Sequence, residues 1–252
     1  MTNSRWEIFF DGLVKRAMLW SPLRSYLLYK YRYAFTPAQL VRLITLATEA
    51  AAVPGDFCEV GCYRGYTTVF LNKHLDTIAP DKRYWALDTF GGFVASDVAH
   101  EQQIRHKDSV RDRQALGKFT VNSQRWFERT LLFNGITRVT AHASAVQDFA
   151  FPEAARFCFV LIDVDLYLPT KAALEKLWPR LSPGGVIVVD DCHPGHVYDG
   201  SRQALEEFCA ARSLRFEVVE TKLAVLRRTR EPVEGETDRV PQDIENSRTE
   251  NS

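Results

Sequence analysis

The chain has 252 residues, enough for one sizeable α/β domain around a single core. At 46% hydrophobic and 25% charged residues, its composition is that of a soluble globular enzyme. With 32 basic and 32 acidic residues the formal net charge is zero, which argues against a general nucleic-acid binder. No apolar run is long enough to span a bilayer, and no signal pattern opens the chain.

Residues 1–35, with the segment RWEIFFDGLVKRAMLWSPLRSYLLYKYRY, are aromatic-rich and amphipathic. They read as an N-terminal helical cap on the domain behind them, with some residues lining a substrate cavity. Basic residues between Trp and Leu make a membrane-surface helix the lesser alternative, and an exposed aromatic segment could also join copies into a homo-oligomer. The five cysteines, Cys58, Cys62, Cys158, Cys192 and Cys209, are odd in number and scattered. That spacing suits free thiols in a reducing cytoplasm rather than a disulfide framework.

Residues 36–229 alternate short β-rich apolar runs with helical patterns. The runs are Phe57–Val60, Tyr84–Leu87, Arg138–Ala141, Phe157–Ile162, Val186–Val189, Phe216–Glu220 and Ala224–Leu226. Helical patterns at Thr170–Arg180 and Ser201–Arg212 lie between them. Such alternation predicts a doubly wound α/β fold with a parallel, seven-stranded Rossmann-like sheet.

The first run ends in Glu59-Val60-Gly61-Cys62-Tyr63-Arg64-Gly65-Tyr66-Thr67-Thr68. Gly61 and Gly65 let the backbone turn and approach a ligand, and the following helix offers N-terminal N–H groups. The G-x-x-x-G spacing is not the G-x-G-x-x-G that cradles a pyrophosphate, so a phosphate-free cofactor fits better. Glu59 could face a cationic sulfonium, directly or through water. The second run ends in Asp88-Thr89-Phe90-Gly91-Gly92, and an acid at that strand tip is placed for ribose hydroxyls. The cofactor-contacting set is Glu59, Gly61, Tyr63, Gly65, Thr67, Asp88, Thr89 and Phe90, joined by Ser144 after the third run and Asp163 after the fourth.

A helical insertion from about Val98 to Phe133, rich in His, Arg and Gln, is a candidate lid. The fourth run leads into Asp163-Val164-Asp165 and the fifth into Asp190-Asp191. Adjacent strands would bring four carboxylates to one crevice, where uncompensated charges repel. A hard divalent cation on oxygen ligands, Mg²⁺, resolves that conflict. Solvated acids or helix caps are the bland reading of any one of them. Cys192, His193 and His196 share one short loop without a fourth ligand, which ranks zinc below magnesium.

Only Thr221, Lys222 and Leu223 separate the last two runs, so these form an antiparallel hairpin. Residues 230–252 are polar and charged and read as a disordered tail.

EVGCYRGYTT, LDTFGGF, LIDVDLYLPTKAALEKLWPRLSPGGVIVVDDC and GSRQALEEF together resemble the macrocin O-methyltransferase family. The resemblance covers roughly Phe35 to Arg228. It implies a class I methyltransferase that uses S-adenosylmethionine and magnesium on a hydroxyl of a sugar or other natural product. It also implies Asp163, Asp190 and Asp191 as metal ligands and Asp165 as general base. Catechol-type enzymes share the first loop but carry a lysine base three residues after the first Asp, and an Asp-Asn pair on the next strand. Leu166 and Asp191 hold those places here. Cys192-His193 departs from the family's usual aromatic.

Two rivals stand beside this reading. A silent cofactor-binding or scaffolding protein would have no need of four converging acids, and a nicotinamide enzyme is disfavoured by the glycine spacing and the hairpin. An O-methyltransferase for phenolic acceptors is the nearer alternative.

Overall fold

The computed structural model describes residues 5–22, 31, 33–107, 119–195 and 199–229. The tail from residue 230, His196 and the middle of the lid segment lie outside the described residues.

Helix α1 (Arg5–Trp20) is followed by α2 (Pro37–Ala51) and β1 (Asp56–Val60). Next come α3 (Tyr66–Ile78), β2 (Tyr84–Asp88), α4 (Ala95–Gln103), α5 (Gln124–Phe133) and β3 (Val139–Ala143). Then β4 (Phe157–Ile162), α6 (Tyr167–Leu177), β5 (Leu181–Val189) and α7 (Gly200–Ala210) precede the closing strands β6 (Phe216–Val219) and β7 (Leu223–Arg227). The seven strands form one sheet in the order β3-β2-β1-β4-β5-β7-β6. β1 to β5 are parallel to their neighbours, whereas β7 runs antiparallel to both β5 and β6. The parallel sheet and its terminal hairpin are as the sequence implies. The hairpin link keeps three residues but is shifted by one, to Glu220-Thr221-Lys222, because β6 ends at Val219 and β7 begins at Leu223.

β4 is buried along its whole length, as a strand covered on both faces must be. Val160 and Ile162 point to one core with Ile187, Val189, Leu205 and Phe208. Phe159 and Leu161 point to the other with Leu40, Leu43, Leu71 and Leu75 from α2 and α3. Thr36 starts α2 with a capping box, its hydroxyl accepting the Gln39 N–H while the Gln39 side chain accepts the Thr36 N–H.

Helix α1 forms, but Trp6, Phe9, Phe10, Leu13 and Trp20 stand exposed on it. All five cysteines are buried free thiols. Among the described residues no helix is long and apolar enough to cross a membrane.

Candidate active site

The strand ends of the parallel sheet build the site. Beyond β1, the Gly61 N–H donates to Leu87 O, and beyond β4 the Asp163 N–H donates to Val60 O. The Asp190 N–H in turn donates to Ile162 O. These bonds continue the ladder past the strands and set Asp163 and Asp190 side by side. A Cβ on Gly61 would lie 1.8 Å from the Asp163 carbonyl oxygen, and Gly61 adopts φ +92°, so this crossing requires glycine. Gly65 adopts φ +82° as N-cap of α3, with no side chain capping the helix start.

Four non-glycine residues with left-handed backbone cluster here: Tyr63, Phe90, Asp165 and Asp191. Such conformations are held by surrounding structure and concentrate at functional sites.

A cavity of about 230 Å³ runs across these strand ends, with apolar walls and a few convergent polar groups as in small-molecule sites. Gly61, Tyr63, Asp88, Thr89, Ser144, Asp163, Asp165, Asp190 and Asp191 line it, so nine of the sequence-derived site residues meet there. Glu59, Gly65, Thr67 and Phe90 do not line it. Glu59 turns inward instead, its Oε2 accepting from Thr68 Oγ1 at 2.6 Å and Tyr84 Oη at 2.7 Å. Burial, and next to it the Asp88 charge, overcomes those bonds and lifts Glu59 from 4.5 to about 7. Gly65 packs on Phe127, Thr67 sits half-buried in the first turn of α3, and Phe90 is packed beside Phe127.

The Asp88 carboxylate is fixed by backbone. Its Oδ2 accepts the Tyr63 N–H and its Oδ1 accepts the Phe90 N–H, both at 2.7 Å. Burial nevertheless raises its pKa. The Ser144 N–H donates to Asp88 O at 3.0 Å, while its hydroxyl donates to Ala145 O. Phe93, Asp97, Phe119 and Gln147 add walls that sequence reasoning did not single out. Gln147 Nε2 donates to Asp97 Oδ2 at 2.8 Å, leaving Gln147 Oε1 buried without a partner.

At the other end lie the four acids and one unexpected cation. The pairing Val189↔Ala224 between β5 and β7 sets Lys222 opposite Asp191, and the Cys192 N–H donates to Lys222 O at 2.8 Å. Lys222 Nζ donates to Asp190 Oδ2 at 2.6 Å and to Asp191 Oδ1 at 3.0 Å. Asp190 and Asp191 raise the lysine pKa in spite of its burial. Burial and mutual repulsion push Asp163 and Asp165 well above the carboxylate range, and Asp190 to about 6. Next to burial, Asp191 is the neighbour that raises Asp165 most.

The Lys222 ammonium therefore compensates part of the negative charge at this end. Asp163, Asp190 and Asp191, the residues expected to hold a divalent cation, all line this cavity. Lys222 takes two of the three carboxylates, and among the described residues no three His, Cys, Asp or Glu are gathered as metal donors. Of the residues weighed for zinc, Cys192 is buried and His193 exposed, while His196 lies outside the described residues.

The chain matches known proteins over this same region. A family model described as macrocin-O-methyltransferase (TylF) matches residues 38–226. The 8-demethyl-8-(2,3-dimethoxy-alpha-L-rhamnosyl)-tetracenomycin-C 4'-O-methyltransferase of Streptomyces olivaceus is 33% identical over 170 residues, 63% of this chain and 59% of that one. Mycinamicin III 3''-O-methyltransferase of Micromonospora griseorubida is 30% identical over 177 residues, 67% of this chain and 65% of that one. The match thus spans about three fifths of the first relative's length and just under two thirds of the second's. The calicheamicin methyltransferase CalS11 superposes with a TM-score of 0.62 at 19% identity, over 90% of this chain and 94% of its own. The O-methyltransferase NovP does so with 0.61 at 22%, over 77% and 80%. These two share the fold, a class I methyltransferase sheet of the Rossmann-like kind. The matched segment holds every residue that lines the cavity except Ala34, and the chain belongs to the macrocin-O-methyltransferase family.

Proposed function

We propose that the chain transfers a methyl group from S-adenosylmethionine to a hydroxyl oxygen of a sugar carried by a natural product. The observation that carries this reading is one cavity with two chemically different ends, Asp88 at one and Asp165 within the acid cluster at the other. Residues 36–229 would form the catalytic domain behind a helical cap of residues 1–35.

The sulfonium donor supplies an already electrophilic methyl group. Asp88, held by two backbone N–H groups, would accept the ribose hydroxyls, and Gly61 and Tyr63 would pass close to the donor. Asp163, Asp165 and the cluster around them would hold the acceptor so that its oxygen lines up with the methyl carbon. Asp165, raised by burial and by its neighbours, is a stronger base than an ordinary carboxylate and would take the hydroxyl proton. The sugar acceptor follows from the two curated relatives, whose names assign them the 4'-oxygen of a rhamnosyl tetracenomycin and the 3''-oxygen of mycinamicin III.

A second reading retains Mg²⁺ on Asp163, Asp190 and Asp191. It is favoured by Asp190 Oδ1, which is buried without a hydrogen-bond partner while Lys222 holds the other oxygen. Calorimetry with S-adenosylhomocysteine and with NAD tests the donor class: the homocysteine product should bind and NAD should not. Methylation assays on glycosides and on their free aglycones test the acceptor. Transfer to the aglycone alone would refute the sugar assignment.

A further inference from the structure

We infer that Glu101, with Arg105 behind it, is a positioning residue for Asp165. The pair holds the chain directly after Asp165 and ties it to the start of the helix that follows Asp191. The inference rests on the reading of Asp165 as the base of a methyltransferase site.

The turn that carries Asp165 is strained and needs an outside hold. Asp165 adopts φ +61°, and the Leu166 N–H donates back to Val164 O at 2.6 Å. Left-handed backbone at a non-glycine residue persists where neighbouring structure fixes it. Helix α6 starts two residues later with Tyr167, whose N–H has no partner within the helix, and Leu166 supplies no side-chain cap. Glu101 fills that place from α4. Its Oε1 accepts the Tyr167 N–H at 2.7 Å, which sets a carboxylate at the positive end of α6. His100 stacks its ring on that of Tyr167, with centroids 5.4 Å apart.

Arg105 holds Glu101 in turn. Its Nη1 donates to Glu101 Oε2, and its Nη2 donates to Asp199 Oδ1 at 2.7 Å and to Gln203 Oε1 at 2.8 Å. Lys107 Nζ donates to Asp199 Oδ2 at 2.6 Å. Asp199 stands just before α7, so one guanidinium joins the chain leaving Asp165 to the helix reached from Asp191. The Glu101 and Arg105 side chains are nearly dry, at 11% and 7% exposed. A Cβ on Gly200 would lie 2.5 Å from Tyr167 N and 2.8 Å from Glu101 Oε1, so α7 begins hard against this hydrogen bond. Glu101 and Arg105 do not line the cavity, and their effect on transfer must run through the backbone they hold. The first turn of α4 is anchored separately at the donor end, where Gln147 donates to Asp97.

Transfer to a rhamnosyl-bearing aromatic polyketide, S-adenosylhomocysteine calorimetry and hydrogen exchange test this together. Glu101→Ala should lower kcat about a hundredfold, the scale of a small misplacement of a reacting group, while S-adenosylhomocysteine affinity stays within about twofold. Without any ligand, exchange at the Tyr167 amide should quicken at least about tenfold in that variant, because its acceptor is gone. Glu101→Gln keeps an oxygen for the Tyr167 N–H and should recover most of the rate. Arg105→Lys, which loses the fork joining Glu101 to Asp199, gives the kcat and exchange readouts should the alanine variant not fold. Unchanged kcat and exchange, a glutamine variant as slow as alanine, or a loss of kcat matched by a loss of S-adenosylhomocysteine affinity would overturn the inference. Calorimetry on the wild type judges the methyltransferase reading separately, and the exchange data judge the clamp whatever that outcome.

Discussion

Tyr84 on β2 donates a 2.7 Å hydrogen bond to Glu59 on β1, and Thr68 from α3 donates a second to the same carboxylate oxygen. This buried lock ties the cofactor-loop strand to its neighbour and to the helix that follows it. It also explains why an acid placed at the strand tip for a sulfonium faces the interior: two hydroxyls already claim it.

The lock has a pH signature. The unfolded chain releases the Glu59 proton near 4.5, the folded chain at about 7, so between these values the native state binds more protons. Stability from this group is therefore lost as pH rises through that window, by on the order of 2–3 kcal/mol. In urea denaturation from pH 5 to pH 8, Glu59→Gln should show a flatter profile than wild type, the difference isolating this carboxyl. Parallel profiles would mean that Glu59 ionises normally.

Gly61 marks where the first loop crosses the strand end carrying Asp163. A methyl group there would overlap the Asp163 carbonyl at 1.8 Å and impose a left-handed backbone on alanine. Gly61→Ala should cost about 3 kcal/mol or more, or prevent folding, in thermal or chemical unfolding. A variant as stable as wild type would show that the two loops are not in contact.

The Asp88 carboxylate takes a backbone N–H on each oxygen and lines the cavity. Asp88→Ala should weaken S-adenosylhomocysteine at least about tenfold in calorimetry, the scale of one charge-assisted hydrogen bond. Unchanged affinity would remove Asp88 from the donor end.

Much of this site was legible in the chain because it follows from strand order. Asp163, Asp165, Asp190 and Asp191 meet because β4 and β5 are neighbours, and apolar runs ending in acids announce that arrangement. The antiparallel finish was equally plain, since a link of two or three residues permits nothing else. Lys222 was not legible as a site residue. It sits in that same link, and its approach to Asp191 depends on the register of β7 against β5, which no local pattern encodes. Glu59 misled for a related reason: the Tyr84 and Thr68 hydroxyls that capture it lie 25 and 9 residues away. Ser144 sat correctly on the cavity wall, whereas the spacing that joins Gln147 to Asp97 crosses 50 residues and gave no signal.

Chelation separates the roles of the acids from the role of a metal. Asp190→Ala should abolish transfer by removing a carboxylate that lines the acid end and pairs with Lys222, while wild-type transfer that persists in EDTA would speak against a metal. Loss of wild-type activity on chelation, restored by Mg²⁺, would favour the divalent reading.

The most direct measurement is methyl transfer by wild type and Asp165→Asn from S-adenosylmethionine bearing an isotopically labelled methyl group to a rhamnosyl-bearing aromatic polyketide, with the product located by mass spectrometry. Wild type should place the label on a sugar oxygen. Asp165→Asn should lose about a hundredfold or more of the rate, the scale of general-base catalysis, while still binding S-adenosylhomocysteine. Label on the aglycone, or an asparagine variant as fast as wild type, would contradict the account.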